Sequence, residues 1–216
     1  MANITHPFGF RPARYLDSSS WNGQTQLYGF STSQANDAYK GDLVQFDATN
    51  RTLALADLYY PALPVVKPVV AALTTNAFRG IIAGFVAQPE FSMSPTASLG
   101  TLYRQASTLR YVWVVEDWDV VFEAEEQGNG YTSTSVNSVN KVGDIVYTAG
   151  SQLTGISGVK LDATTVSVAA VKPFRYLRYT PKVDNFNFTS SDANSRAHYD
   201  VMINNSDLFV QASIGL

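Results

Sequence analysis

The chain has 216 residues, 45% of them hydrophobic and 12% aromatic, with no cysteine and a formal charge of −3. A chain of this length removes about 70% of its unfolded surface from water without covalent staples, and the missing thiols exclude disulfides, thiolate metal sites, iron–sulfur clusters and cysteine nucleophiles. The acidic balance supplies no broad positive field for general nucleic-acid binding, and only 15% of residues are charged, against about 25% in an average soluble domain, so Ser, Thr, Asn, Gly or contacts with other chains must make up much of the surface.

Met1-Ala-Asn-Ile-Thr-His-Pro has neither the basic region nor the apolar core of a secretory signal, so export by that route is not expected. Residues 1–26 read as an extended N-terminal arm. Pro7, Gly9, Pro12, Ser18 to Ser20 and Gly23 interrupt any ladder, while Phe8, Phe10, Tyr15, Leu16 and Trp21 are large and apolar and Arg11 and Arg14 stand among them. Such a segment either orders on another surface or lies across its own domain.

Residues 27–216 form a β-rich body. Val and Thr number 40 against 11 for Glu and Lys, a balance that favours strand over helix. Period-two alternation predicts strands at Asp42–Phe46, Gly80–Val86, Leu109–Val115, Trp118–Glu126, Asp144–Thr148, Thr165–Tyr179 and Tyr199–Ile203. Short helices are expected at Thr32–Tyr39 and Asn205–Ala212, and loops at Asp57–Lys67 and Phe91–Leu99. The most apolar stretch, Leu63–Leu73, is broken by Pro64, Lys67 and Pro68 and is too short to span a bilayer, so no membrane partner is expected. The expected fold is all-β, a β-sandwich or barrel-like body. Lys40-Gly41-Asp42-Leu43-Val44 is echoed by Val142-Gly143-Asp144-Ile145-Val146, a turn-to-strand pattern with Gly for positive φ and Asp for a local backbone hydrogen bond. The echo leaves two organisations open, one elaborated β domain or two related β halves.

Candidate chemistry is sparse. Six of the 18 acids fall in Glu116–Glu126 with no Lys or Arg among them. As a strand, this segment puts Trp118, Val120, Phe122 and Ala124 on an apolar face and Asp119, Val121, Glu123 and Glu125 on an acidic one. Asp119 and Glu123 would stand roughly 13 Å apart, beyond the about 5–9.5 Å of a glycosidase carboxyl pair, so a solvated or interface-facing acidic strand is expected. The two histidines, His6 and His198, are far apart and no calcium-loop spacing occurs, so no metal or cofactor is expected. Gly155-Ile156-Ser157-Gly158 departs from the nucleophile-elbow pattern and reads as a hairpin; no phosphate loop or dinucleotide fingerprint is present. Lys172–Lys182 interleaves four basic residues with three aromatics, as single-strand nucleic-acid binders do. Alternation there places Phe174, Tyr176 and Arg178 on one face and Arg175, Leu177 and Tyr179 on the other. A strand with outer arginines facing the acidic strand suits the net negative charge better, so no nucleic-acid partner is expected and no enzymatic activity is predicted.

Met1-Ala-Asn, Pro7-Phe8-Gly9-Phe10-Arg11-Pro12, Asp17, Trp21-Asn22-Gly23 and Gly41-Asp42-Leu43-Val44 together resemble a family of tailed-bacteriophage virion structural proteins. Tyr103-Arg104, Tyr111-Val112, Asp119-Val120-Val121-Phe122-Glu123, Gly158-Val159-Lys160-Leu161-Asp162 and Val201-Met202-Ile203-Asn204-Asn205 extend the likeness through the chain; Tyr59–Pro68 and Pro181–Ala193 depart from it. The resemblance implies a capsid cement or decoration protein on the capsid exterior of the virion, assembled in the host bacterial cytoplasm. Its partners would be the major capsid protein and itself, as a homotrimer or alternatively a dimer. Capsid contacts are then expected from Phe8, Phe10, Arg11, Arg14, Tyr15 and Trp21. The rival reading is a virion-attached host-surface carbohydrate-binding or depolymerising protein using Trp113 and Trp118 as sugar platforms.

Overall fold

The computed structural model describes residues 8–49, 63–71, 78–86, 102–127, 138–168, 171–180 and 197–206. The described residues contain eleven strands and no α-helix: β1 (Phe10–Tyr15), β2 (Gln26–Phe30), β3 (Leu43–Phe46), β4 (Val66–Pro68), β5 (Gly80–Phe85), β6 (Arg110–Val115), β7 (Val120–Glu125), β8 (Val142–Val146), β9 (Lys160–Ser167), β10 (Phe174–Tyr179) and β11 (His198–Ile203). They build a five-stranded sheet, β2-β6-β5-β3-β4, and a six-stranded one, β1-β7-β11-β10-β8-β9, with every strand pair antiparallel. The expected all-β class holds.

Each sheet curls back on itself. A ring of five antiparallel strands must contain one parallel junction, because directions alternate and five is odd. The junctions are Gly29↔Val65 in the first sheet and Glu126↔Leu161 in the second, both parallel bridges. Backbone bonds support them: Gly29 N–H donates to Pro64 at 3.1 Å and Gln127 N–H to Leu161 at 2.9 Å. The two rings, β2-β6-β5-β3-β4 and β7-β11-β10-β8-β9, trace the same order when each is numbered along the chain. In both, the fourth strand bulges against the fifth, at Ile82/Gly84 and at Tyr176/Arg178. The sequence echo falls on the second strand of each ring. Gly41 there has the expected positive φ of 91°. Gly143 serves closeness instead, since a Cβ on it would come within 2.6 Å of the Tyr176 ring.

Strand alternation distributes side chains to two cores. Tyr28, Phe30, Val44, Val66, Ile82, Val112 and Val114, with Ala38, fill the first ring. Their chain neighbours Leu43, Ile81 and Val115 point outward and join Val120, Phe122, Ala124, Phe174, Tyr176, Tyr199 and Val201 in the larger core shared by both sheets. Burial of each such large apolar side chain contributes about 1.5–3 kcal/mol.

The strand edges differ from the expectation in places. Thr165–Tyr179 is not one strand but the end of β9 and all of β10, because these lie on opposite sides of β8 and the chain must cross between them. Val66–Pro68 is a strand that overlaps the end of the expected 57–67 loop, whose residues 57–62 lie outside the described ones, as does Phe91–Leu99. Thr32–Tyr39 is not a helix. The carbonyls of Ser31, Gln34 and Asn36, which a helix would use internally, accept instead from the Arg104 guanidinium, and Ala38 pairs with Arg104 through the backbone. Of Asn205–Ala212, only 205 and 206 are described, and they form a bend and a bridge. Gly155, at φ 69°, closes the turn of the Ser151↔Ile156 bridge, in line with the hairpin reading.

Candidate functional site

Residues 10–15 of the expected arm are an edge strand of the body. Pro12 is tolerated there because the outermost strand leaves one row of backbone groups unpaired and the ladder bulges beside it. Phe10 is 1% exposed and stacks on Phe174, ring centroids 4.3 Å apart, so it is a core residue and not a surface anchor. Tyr15 and Trp21 also pack against that core, and the Tyr15 hydroxyl donates to Asn22 at 2.6 Å. Phe8, Arg11 and Arg14 remain on the outside. Of the two readings of the arm, residues 10–15 follow the one in which it lies along its own domain; residues 1–7 lie outside the described ones.

What the structure assembles is a charged outer face on the six-stranded sheet. The register places Arg11 of β1 opposite Glu123 of β7, Glu123 opposite Asp200 of β11, and Asp200 opposite Arg178 of β10. Two like charges directly opposed would repel. A guanidinium at each end removes the conflict: Arg11 reaches Glu123 at 2.5 Å and Arg178 reaches Asp200 at 2.7 Å. Arg14 crosses over β7 to the same Asp200 oxygen at 3.2 Å, and the Thr180 hydroxyl donates to the other oxygen at 2.9 Å. His198 Nδ1 lies 3.2 Å from Glu123, and Phe8 packs between the His198 ring and the Arg11 guanidinium.

Two β-bulges aim these arginines. Arg11 and Arg14 are three residues apart, as are Arg175 and Arg178, and an odd spacing on a regular strand sends side chains to opposite faces. The ladder skips one residue between Pro12 and Arg14 and another between Tyr176 and Arg178. Each skipped residue restores the second arginine to the face of the first, the re-aiming that bulges produce. Arg178 thus joins Arg175 on the outer face, while Phe174, Tyr176 and Tyr179 pack inward. This corrects the simple alternation expected for that run.

The acidic strand is neither solvated nor bare. All of Val120–Glu125 is buried, and Trp118, expected on its apolar face, sits half-exposed in the preceding turn. Cations come from distant parts of the chain: Arg79 holds Glu116 at 2.9 Å and Lys160 holds Glu125 at 3.1 Å. Tyr28 donates to Glu116 at 2.5 Å, and burial followed by that carboxylate pushes the phenol well above its ordinary range. Glu126 differs. It is 1% exposed, no group among the described residues donates to either carboxyl oxygen, and burial, reinforced by the Asp162 charge, pushes its carboxyl up to about 8.

The face therefore brings together Arg11, Arg14, Glu123, Arg175, Arg178, His198 and Asp200. Asp119, considered with Glu123 for acid–base work, stays in the turn before β7. Glu123 and Asp200 are the opposed carboxylates, with Cβ atoms about 4.5–5.5 Å apart as cross-strand partners. Guanidiniums clamp both and engage them as hydrogen-bond acceptors. Asp200 was not singled out from sequence; the trace of the site there is the pair of Arg-x-x-Arg spacings, Arg-Pro-Ala-Arg and Arg-Tyr-Leu-Arg. Among the described residues no group of three or more His, Asp or Glu is arranged to hold a metal ion, and no helix is long and apolar enough to cross a membrane. Comparison with protein-family models, with curated proteins and with solved structures found no match.

Proposed function

We propose that the protein is a non-enzymatic structural component of a tailed-bacteriophage head, binding the capsid exterior as a cement or decoration protein and stabilising the shell by bridging capsid subunits. The observation that carries this reading is the spread of the family resemblance across both rings, from Leu43 and Tyr111 in the first to Phe122, Leu161 and Val201 in the second. The ion-paired outer face supports it, because clamped carboxylates with guanidiniums above them suit contact rather than turnover. Its partners are the major capsid protein and further copies of itself, with a closed trimer favoured over a dimer.

Phage heads stripped of the protein provide the test. Purified protein should co-sediment with them and raise the temperature at which they release DNA. Failure to bind heads, with binding to host polysaccharide instead, would establish the rival reading. The half-exposed Trp113 and Trp118 are what favour that rival.

A further inference from the structure

We propose that the arginine face of the six-stranded sheet, rather than a flexible arm, is the docking surface, and that it takes a carboxylate-bearing protein surface. The proposal rests on the capsid reading for the identity of the partner and on geometry for the chemistry. Arg11 and Arg178 mark the two ends of the row, with side chains 58% and 62% exposed although each is anchored to a nearly buried carboxylate. Each spends one terminal nitrogen on its carboxylate. A guanidinium carries five N–H donors in a rigid plane, so donors remain on both of these half-exposed side chains.

The face is cationic in an acidic chain. Arg11, Arg14, Arg175 and Arg178 outnumber Glu123 and Asp200 by four to two, whereas the whole protein carries −3. The buried carboxylates orient the arginines before a partner arrives. A side chain already held loses less freedom on docking, which is the main cost of using long, flexible residues at an interface.

Spacing selects the partner class. Arg11 and Arg178 are separated by three strand intervals, about 14 Å, with Glu123 and Asp200 between them. Discrete carboxylates on a protein surface can meet the two guanidiniums and leave the middle to other groups. Duplex DNA carries a charge every about 1.7 Å along its axis, and a phosphate track laid along this row would run over two carboxylates.

The test uses the full chain, an Arg11→Gln/Arg178→Gln double variant and an Arg11→Glu/Arg178→Glu variant, each first checked for an unchanged melting curve. If the charge reversal does not fold, the glutamine pair carries the test. The probes are protein-stripped phage heads, poly-L-glutamate and a random-sequence DNA duplex. The wild-type chain is expected to bind heads and poly-L-glutamate, each more weakly as salt rises from 50 to 200 mM, and the folded double variant to bind both about tenfold or more weakly. Equal head binding by wild type and variant would overturn the docking surface and leave the capsid reading standing. Wild-type binding to poly-L-glutamate, lost in the variant, without any binding to heads would overturn the capsid reading and keep the chemistry of the face. Tighter binding to the duplex than to poly-L-glutamate at equal salt would overturn the choice of a protein partner.

Discussion

Arg104 illustrates how a single side chain can replace an element of secondary structure. It is completely buried, lies over the Phe30 ring and donates to the carbonyls of Ser31, Gln34, Asn36 and Thr108. Burial lowers its guanidinium to about 10, still far above neutrality, so it remains a cation in the working range. Arg104→Ala strands several buried acceptors, each costing about 1–3 kcal/mol. The variant should melt at least 6 °C lower, taking about 2–4 °C per kcal/mol for a chain of this size, and an unchanged melting curve would contradict the clamp. Glu126 gives a pH prediction of definite sign. Its folded carboxyl keeps its proton to about pH 8, whereas the unfolded chain releases it near the ordinary 4.5. The folded state binds more protons through that window, so this contribution is complete below pH 4.5 and is lost as pH rises through about 8. Asp42, pushed up to about 6 by burial, acts in the same direction at lower pH. Glu126→Gln should therefore flatten the fall in stability from about pH 4.5 to about pH 8 and leave only the smaller Asp42 part, which ends near pH 6, as read by urea denaturation across the pH series.

β1 is where an element departs furthest from its sequence. Proline, glycine and a serine run argue against a strand, yet an edge strand needs only one row of backbone bonds and a bulge absorbs the irregularity. Phe10 then stacks on Phe174, whose ring also meets Phe78 from the segment just before β5. Phe10→Ala should cost about 3–5 kcal/mol, the range for deleting a buried aromatic. Phe8→Ala removes only a cover over Arg11 and His198 and should leave the melting temperature within a few degrees. Equal effects of the two substitutions would mean that β1 is not part of the folded core. The same reasoning applies at β8. Gly143→Val drives a branched side chain into the Tyr176 ring and should destabilise the second ring, detectable as lost protection of the β8 and β10 amides in hydrogen exchange.

On the scale of the molecule, the two rings share a strand order but not a role. The first is filled by its own side chains and lends its outward residues to the core beneath the second sheet. The second carries the charged face on its other side, with β1 added along the edge of β7 ahead of the junction with β9. This leaves one ion-paired sheet surface backed by the core, from which arginines can be presented. The capsid reading further expects closed self-association, because a small protein that bridges several identical subunits gains from matching their symmetry. Native mass measurement should find a trimer, and monomer alone at the concentration reached on a capsid surface would count against it.

Composition and alternation by themselves determined the all-β class and the positions of β3, β5, β6, β7, β8 and β11, because a period of two with β-branched and aromatic residues is a local property that each strand carries in its own residues. They also placed Val120, Phe122 and Ala124 on the core side. Only the tertiary structure decided what faces the opposite side. Arg11, Glu123, Asp200 and Arg178 come from four strands spread over most of the chain, and their meeting depends on register. Two bulges then reverse the facing that simple alternation assigns to Arg14 and Arg178. A bulge leaves no fixed residue pattern, since it answers to the twist and closure of the sheet around it. The cations that neutralise Glu116, Glu123 and Glu125 are likewise remote in sequence, so three acids that look unpaired along the chain are paired across the fold.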